Sequence, residues 1–229
     1  MSPGASRYLA HQTRLRDRDG REFAGYYNDS ARGSSRAVIV AHDFLGLTAQ
    51  TRSVANRLAN EGFLVFAPDF YRGRVAGTRG EAAELAKQLA WNQVAVELGL
   101  AVSTLKQRDS RMRVATLGFG MGGAASLVAA AAVTELNAAV TFYGIPQDVV
   151  VENTRLRVQG HFATRDTKCT LERVASLAQA LSRRGVPSEI HYYEADNGFC
   201  SPIRPEAYAP VHADSAWVRT LQFLHSALA

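Results

Sequence analysis

The stretch most suited to chemistry is TLGFGMGGAAS, residues 116–126. It can be read in two incompatible ways. Gly118, Gly120 and Gly123 spell G-x-G-x-x-G, a loop that cradles the phosphates of a dinucleotide. Gly118, Gly120 and Gly122 also frame the G-x-nucleophile-x-G elbow of a hydrolase, with glycine in the nucleophile's place. Other reactive residues are few. His42 and Asp43 adjoin in VIVAHDF and could act as a general base and its helper. Cys200 follows Asn197 by three residues and could present a displaced thiol, although no histidine stands nearby in sequence to generate a thiolate. Asp166 closes GHFATRD. Arg72, Arg74 and Arg79 lie in DFYRGRVAGTRG (69–80), a segment suited to meeting an anionic ligand. Cys169 reads as a small buried residue, His161 and His191 as packed strand residues, and His212 and His225 belong to the last helix.

The elements that must position these residues alternate along the chain. EFAGYYN (22–28), preceded by the turn signal Asp19-Gly20, reads as an edge strand or hairpin arm. AVIVAHD (37–43) and FLVFAPD (63–69) are apolar runs, expected to be strands covered on both faces. Between them TAQTRSVANRLANEG (48–62) has helical spacing and stops at Gly62. Residues 81–107 hold a helical pattern with no breaker other than Gly99. Then come strand 113–118, helix 122–133, strand 138–144, strand 156–163, helix 171–185, strand 188–194 and a last helix over about 207–228. This pattern predicts a single α/β domain over residues 1–229, with a mostly parallel sheet and helices on both faces.

That order favours the elbow. A dinucleotide loop belongs to the first βα unit, with an acid at the end of the next strand. Here the loop lies in mid-chain and the next strand ends FYGIP. His42 and Asp43 fall at the carboxyl end of a core strand, where open α/β sheets place their ligands.

Composition narrows the partners. The chain has 229 residues and a formal net charge of +5. Of its 26 basic residues only three are lysine, and the arginines are scattered rather than striped. The densest group, RLRDRDGR (14–21), is broken by two aspartates, so nucleic-acid binding is not expected. With only two cysteines, neither a disulfide framework nor a Cys-based zinc site is expected, and a cytoplasmic setting is the default. No metal or cofactor is implied. The longest apolar run, LVAAAAV (127–133), is too short for a membrane span.

At this point the chain resembles the dienelactone hydrolases of the α/β-hydrolase superfamily. The likeness runs through VIVAHDFLGL, LANEGFLVFAPDFY, VATLGFGMGGAAS, FYG, GHFATRD and YYEADNGF. It implies an α/β-hydrolase fold and, in the family, a Cys–His–Asp triad that opens esters and lactones through an acyl-enzyme. Transferred position by position, the nucleophile is replaced by Gly120 and the histidine by Asn197, while Asp166 matches the acid and Asp43 matches a glutamate near the nucleophile. Glycine relieves the positive φ that an elbow demands. The Asn197 amide cannot shuttle protons but can donate to Asp166. The fold's oxyanion donors are backbone amides, here Met121 and Phe44 or its neighbour, and they do not depend on a side chain at residue 120.

Three functions fit these residues. One is non-hydrolytic acid–base chemistry (cyclase, isomerase, lyase or dehydratase) on a small anionic or lactone-like substrate, with His42, Asp43 and Asp166 as the reactive side chains. Another is a pseudoenzyme that binds such a ligand. The third is a hydrolase with a relocated nucleophile or an activated water. The expected assembly is a monomer or homodimer.

Overall fold

Strands dominated by Val, Ile, Phe and Ala leave no polar face to present to water, so the sheet they form must be covered on both sides. In the computed structural model, which describes residues 10–16, 22–147 and 153–229, this is the arrangement found. Eight strands form one sheet: β1 (Ala10–Arg16), β2 (Glu22–Asn28), β3 (Arg36–Ala41), β4 (Leu64–Pro68), β5 (Arg113–Phe119), β6 (Ala138–Phe142), β7 (Arg157–Ala163) and β8 (Ser188–Tyr193). Their order is β1-β2-β4-β3-β5-β6-β7-β8. The β1–β2 and β2–β4 pairs are antiparallel, and the pairs from β4 through β8 are parallel.

Among the described residues, six helices cover the sheet: α1 (Ala49–Asn60), α2 (Arg79–Lys87), α3 (Trp91–Arg108), α4 (Met121–Ala132), α5 (Leu171–Arg183) and α6 (Pro210–Ala227). Alternate strand residues face opposite cores. Val38 and Val40 pack with Leu58 of α1 and Trp217 and Leu224 of α6. Ala37 and Ile39 pack with Leu98 and Val102 of α3 and Ala125 and Ala129 of α4. Beside this second core, Val158 and Phe162 meet Leu127 of α4 and Val174, Leu177 and Leu181 of α5.

Three features depart from the sequence reading. EFAGYYN is a hairpin arm but not an edge strand, because β1 pairs along its full length; the Asp19-Gly20 turn lies outside the described residues. The helical run 81–107 is two helices. Leu85 and Val94, both buried, are nine residues apart, which at about 100° per residue would put them on opposite sides of one continuous helix. The chain therefore stops at Gln88 and restarts after Ala90, whose backbone is extended. A capping box between Thr78 and Glu81 fixes the start of α2. The last helix begins at Pro210, in its first turn, where proline's missing N–H costs nothing.

Candidate functional site

Because β3 through β8 run parallel, the loops that leave their carboxyl ends gather on one edge of the sheet. Those loops carry Asp43 and Phe44, the 69–74 segment, Gly120 and Met121, Tyr143, Asp166 and Asn197.

The turn between β5 and α4 is built by glycines with different tasks. A Cβ on Gly118 would lie 2.1 Å from the Gly122 carbonyl oxygen, and one on Gly122 would lie 2.1 Å from that of Ala41. These two let α4 close tightly on β5 and β3. Gly120 is different: a Cβ there would meet nothing within 4 Å, but its backbone sits at φ +53° and ψ −113°. Its amide donates to the Phe142 carbonyl at 2.8 Å, and its own carbonyl receives the Ala124 amide at 3.0 Å, starting the helix. Met121, the first helical residue, presents an amide that has no partner within the helix and lies at the positive end of its dipole.

Beyond the elbow, Asp166 is buried and fully engaged. Its Oδ1 accepts from the amides of Lys168 at 2.7 Å and Cys169 at 3.0 Å. Its Oδ2 accepts from Asn197 Nδ2 at 2.7 Å. The Asn197 oxygen in turn accepts from Arg204 Nη1 at 3.3 Å. These bonds make Asp166 an anchor for the 197 loop.

Asp43 is half-buried. Its Oδ1 accepts the Leu45 amide at 2.9 Å. Burial raises its pKa, partly offset by that amide and by the charge of Arg204. Tyr71 closes the same loop from above, its hydroxyl 3.3 Å from both the Phe44 carbonyl and the Met121 sulfur. Burial and the neighbouring Asp43 push the Tyr71 phenol up to about 12.

Three residues that the sequence offered for the site are engaged elsewhere or sheltered in this structure. His42 is completely buried, and both ring nitrogens are used: Nδ1–H donates to the Asp43 carbonyl at 2.8 Å, and Nε2 accepts the Phe70 amide at 3.1 Å. Burial lowers its pKa. The ring ties the 43 loop to the 70 loop and has no nitrogen free for a substrate proton. Arg72 turns away from the elbow to α3, where its Nη1 meets Glu97 Oε2 at 3.1 Å and its Nη2 meets Oε1. Glu97 is nearly inaccessible, so the guanidinium is the counter-charge of a buried carboxylate. Arg74 bonds Gln88 at 3.1 Å, and Arg79 is the first residue of α2. Cys200 is half-buried and borders a small cavity of about 150 Å³ beside the elbow, walled by Phe119, Phe142 and Trp217. Burial drives its thiol far above the usual range, the opposite of what a nucleophile needs. A larger hollow of about 640 Å³ lies past the end of α4, around Val133 and Asn137, away from all these groups.

His161 is buried, with Nδ1 2.9 Å from the Tyr193 hydroxyl and Nε2 3.0 Å from both Gln159 and Thr220. Two residues at the site escaped the sequence reading. Arg204 sits seven positions after Asn197 in an irregular loop. Tyr143, in the FYG run, has φ +40°, rare for a side-chain-bearing residue.

A mostly parallel sheet with helices on both faces, and a strand–elbow–helix at its centre, define an α/β-hydrolase fold. The chain belongs to the dienelactone hydrolase family, whose profile matches residues 23–228. Among relatives, the usf protein of Aquifex pyrophilus is 29% identical over 219 residues, covering 90% of this chain and 94% of its own. A candidate carboxymethylenebutenolidase of Aquifex aeolicus is 26% identical, covering 93% of this chain and 96% of its own. The crystal structure of a candidate dienelactone hydrolase from Klebsiella pneumoniae superposes with a TM-score of 0.85 at 25% identity, covering 95% of this chain and 98% of that one. Among the described residues, no helix is long and apolar enough to cross a membrane.

Proposed function

We propose that this protein binds a small anionic or lactone-like compound over Gly120 and processes it by acid–base chemistry, without an acyl-enzyme. The observation that carries this reading is Gly120 itself: the elbow geometry is complete, the space above it is open, and no nucleophile stands there. The amides of Met121 and Phe44 are the donors for a developing oxyanion. Asp43 is the base. A carboxylate whose pKa is raised by burial is better matched to proton transfer near neutral pH than an ordinary one. Asp43 takes a proton from the carbon next to the ligand carbonyl, the electron pair moves onto the carbonyl oxygen, and Asp43 returns the proton. Isomerisation, cyclisation and elimination all begin with that step. Asp166 and Asn197 hold the loop that forms the wall.

A second reading, ligand binding without turnover, is favoured by the closure of His42, which removes one of the two candidate bases. Proton NMR in D₂O with a five-membered unsaturated lactone separates the readings. Protein-dependent exchange of ring hydrogens or a shifted double bond, with the ring intact and the effect lost in Asp43→Asn, supports acid–base chemistry. Thermal stabilisation by the lactone without exchange supports binding alone. Ring opening at a saturable rate overturns both in favour of hydrolysis by an activated water.

A further inference from the structure

Tyr143 is the polar side chain at this site that the preceding account leaves unused. It follows β6 directly, and the segment that carries it is locked to the elbow. The Gly120 amide donates to the Phe142 carbonyl at 2.8 Å. On the other side, Gly144 packs so closely that a Cβ on it would lie 2.0 Å from the Gly120 carbonyl oxygen. The residue between these two contacts is held at φ +40°, a strained conformation for tyrosine. Such strain persists only where surrounding structure imposes it, and it concentrates at working sites.

The ring is fixed on three sides by aromatic neighbours. It stands edge-on to Phe199 at 5.6 Å, and its centroid is 6.1 Å from that of Phe119 and 6.4 Å from that of Phe142. Tyr143 retains only 6% of its exposure. A tyrosine this deeply placed normally gives its hydroxyl a partner. Here the hydroxyl makes no hydrogen bond to the described protein, yet it is not one of the sealed, unsatisfied atoms. It is a donor without a protein partner in a segment locked to the elbow. Its surroundings come from several loops: Cys200, Asp43, Arg204 and Asp166 all act electrostatically on the phenol.

We propose that the Tyr143 hydroxyl is a ligand-binding donor of this site, making a hydrogen bond to an anionic oxygen of a small carboxylate or enolate seated over Gly120. This rests on the reading that the elbow holds such an anion. A neutral phenol suits the task because it donates without adding a competing charge beside Asp43 and Asp166. Burial keeps it protonated far beyond neutral pH. Tyr143 thus adds a side-chain donor to the backbone amides of Met121 and Phe44.

The test uses crotonate, with crotonamide as its uncharged counterpart, titrated calorimetrically into the wild type and Tyr143→Phe. Loss of a hydrogen bond to a charged group should weaken crotonate about tenfold or more, while crotonamide, which offers only a neutral acceptor, is weakened several-fold less than crotonate. Equal crotonate affinity in both proteins overturns the role of Tyr143 and leaves the elbow anion site standing. No crotonate binding by the wild type overturns the anion site, and the Tyr143 assignment with it. Should Tyr143→Phe fail to fold, the wild type labelled at tyrosine ¹³Cζ gives the answer. One of its eight tyrosine resonances must move with crotonate and stay still with crotonamide; if none moves, the assignment is wrong.

Discussion

Rebuilding a nucleophile and a histidine at the elbow tests the geometry most severely. The perturbation is the double change Gly120→Cys with Asn197→His. A Cβ at residue 120 meets nothing within 4 Å, so the cysteine fits without a clash. Its cost is conformational, because φ +53° is strained for any side chain, by about 1–3 kcal/mol. In a chain of this length each kcal/mol lowers Tm by roughly 2–4 °C, so a fall of about 2–12 °C is expected. At residue 197 an imidazole inherits the bond that the amide now makes to Asp166 at 2.7 Å, which fixes its tautomer and leaves the other nitrogen for the thiol. A cysteine alone should keep a pKa near 8.5, whereas one paired with imidazolium should fall to about 6.5. At pH 7 that raises the thiolate fraction from roughly 3% to roughly 75%. Each thiolate is then about six- to tenfold less reactive, so the alkylation rate rises only about threefold. The midpoint of the pH–rate curve is therefore the readout, followed by mass spectrometry on the peptide containing residue 120. The double mutant should show a midpoint near 6.5 and slow cleavage of p-nitrophenyl acetate; either single change should show neither. A folded double mutant with a midpoint near 8.5 and no ester cleavage would refute the placement of residues 120 and 197 within reach of each other.

Other outcomes follow from burial and pairing. His42 and His161 have pKa values lowered by burial. Their folded values lie below the unfolded one, so stability is complete above about pH 6.5 and is lost as pH falls below it. Urea unfolding should weaken by up to about 1.4 kcal/mol per pH unit for each ring that stays neutral, and a flat profile from pH 7.5 to 5 would show that these rings are not kept neutral. Burial raises the thiol of Cys169 to about 11 and that of Cys200 further. Iodoacetamide at pH 8 should label both at least about tenfold more slowly in the native protein than in urea; rapid labelling of Cys200 would revive a relocated nucleophile. Arg72→Ala leaves Glu97, 5% exposed, without its cation. It should cost about 1–3 kcal/mol, part of which Arg72→Ala with Glu97→Gln restores; a cost below about 0.5 kcal/mol would mean that the pair holds nothing.

The centre of the sheet was legible because strands such as β3 and β4 are apolar on both faces. Segments such as AVIVAHD and FLVFAPD have only one way to hide such surface. The elbow was legible because three glycines in strand–turn–helix context have few other uses. The break between α2 and α3 was written in the sequence too, as a phase change between Leu85 and Val94, but a search for breaker residues passes over it. What could not be read were partners supplied by distant loops. His42 looks like a base until the Phe70 amide, 28 residues away, takes its Nε2. Arg72 looks like an anion clamp until Glu97 on α3 claims it. Tyr143 carries no unusual residue type; its signal is a backbone angle, which no spacing rule reveals.

The three elbow glycines also bear on what this site has become. Gly118 and Gly122 are fixed by packing, since a Cβ on either would strike backbone near 2.1 Å. They would be required whatever stood at residue 120. Gly120 is under no such demand; its surroundings would admit a side chain, and only the backbone angle favours glycine. An elbow is ordinarily the place where a fold tolerates that strain in order to present a reactive atom. Here the strain is relieved and the geometry is kept: the turn still starts α4, with the Met121 amide at the positive end of its dipole. Relief without collapse leaves open space over the turn where a side chain would stand. On the proposed reading, chemistry in such a space comes from groups around it, a carboxylate of raised pKa at Asp43 and the hydroxyl of Tyr143.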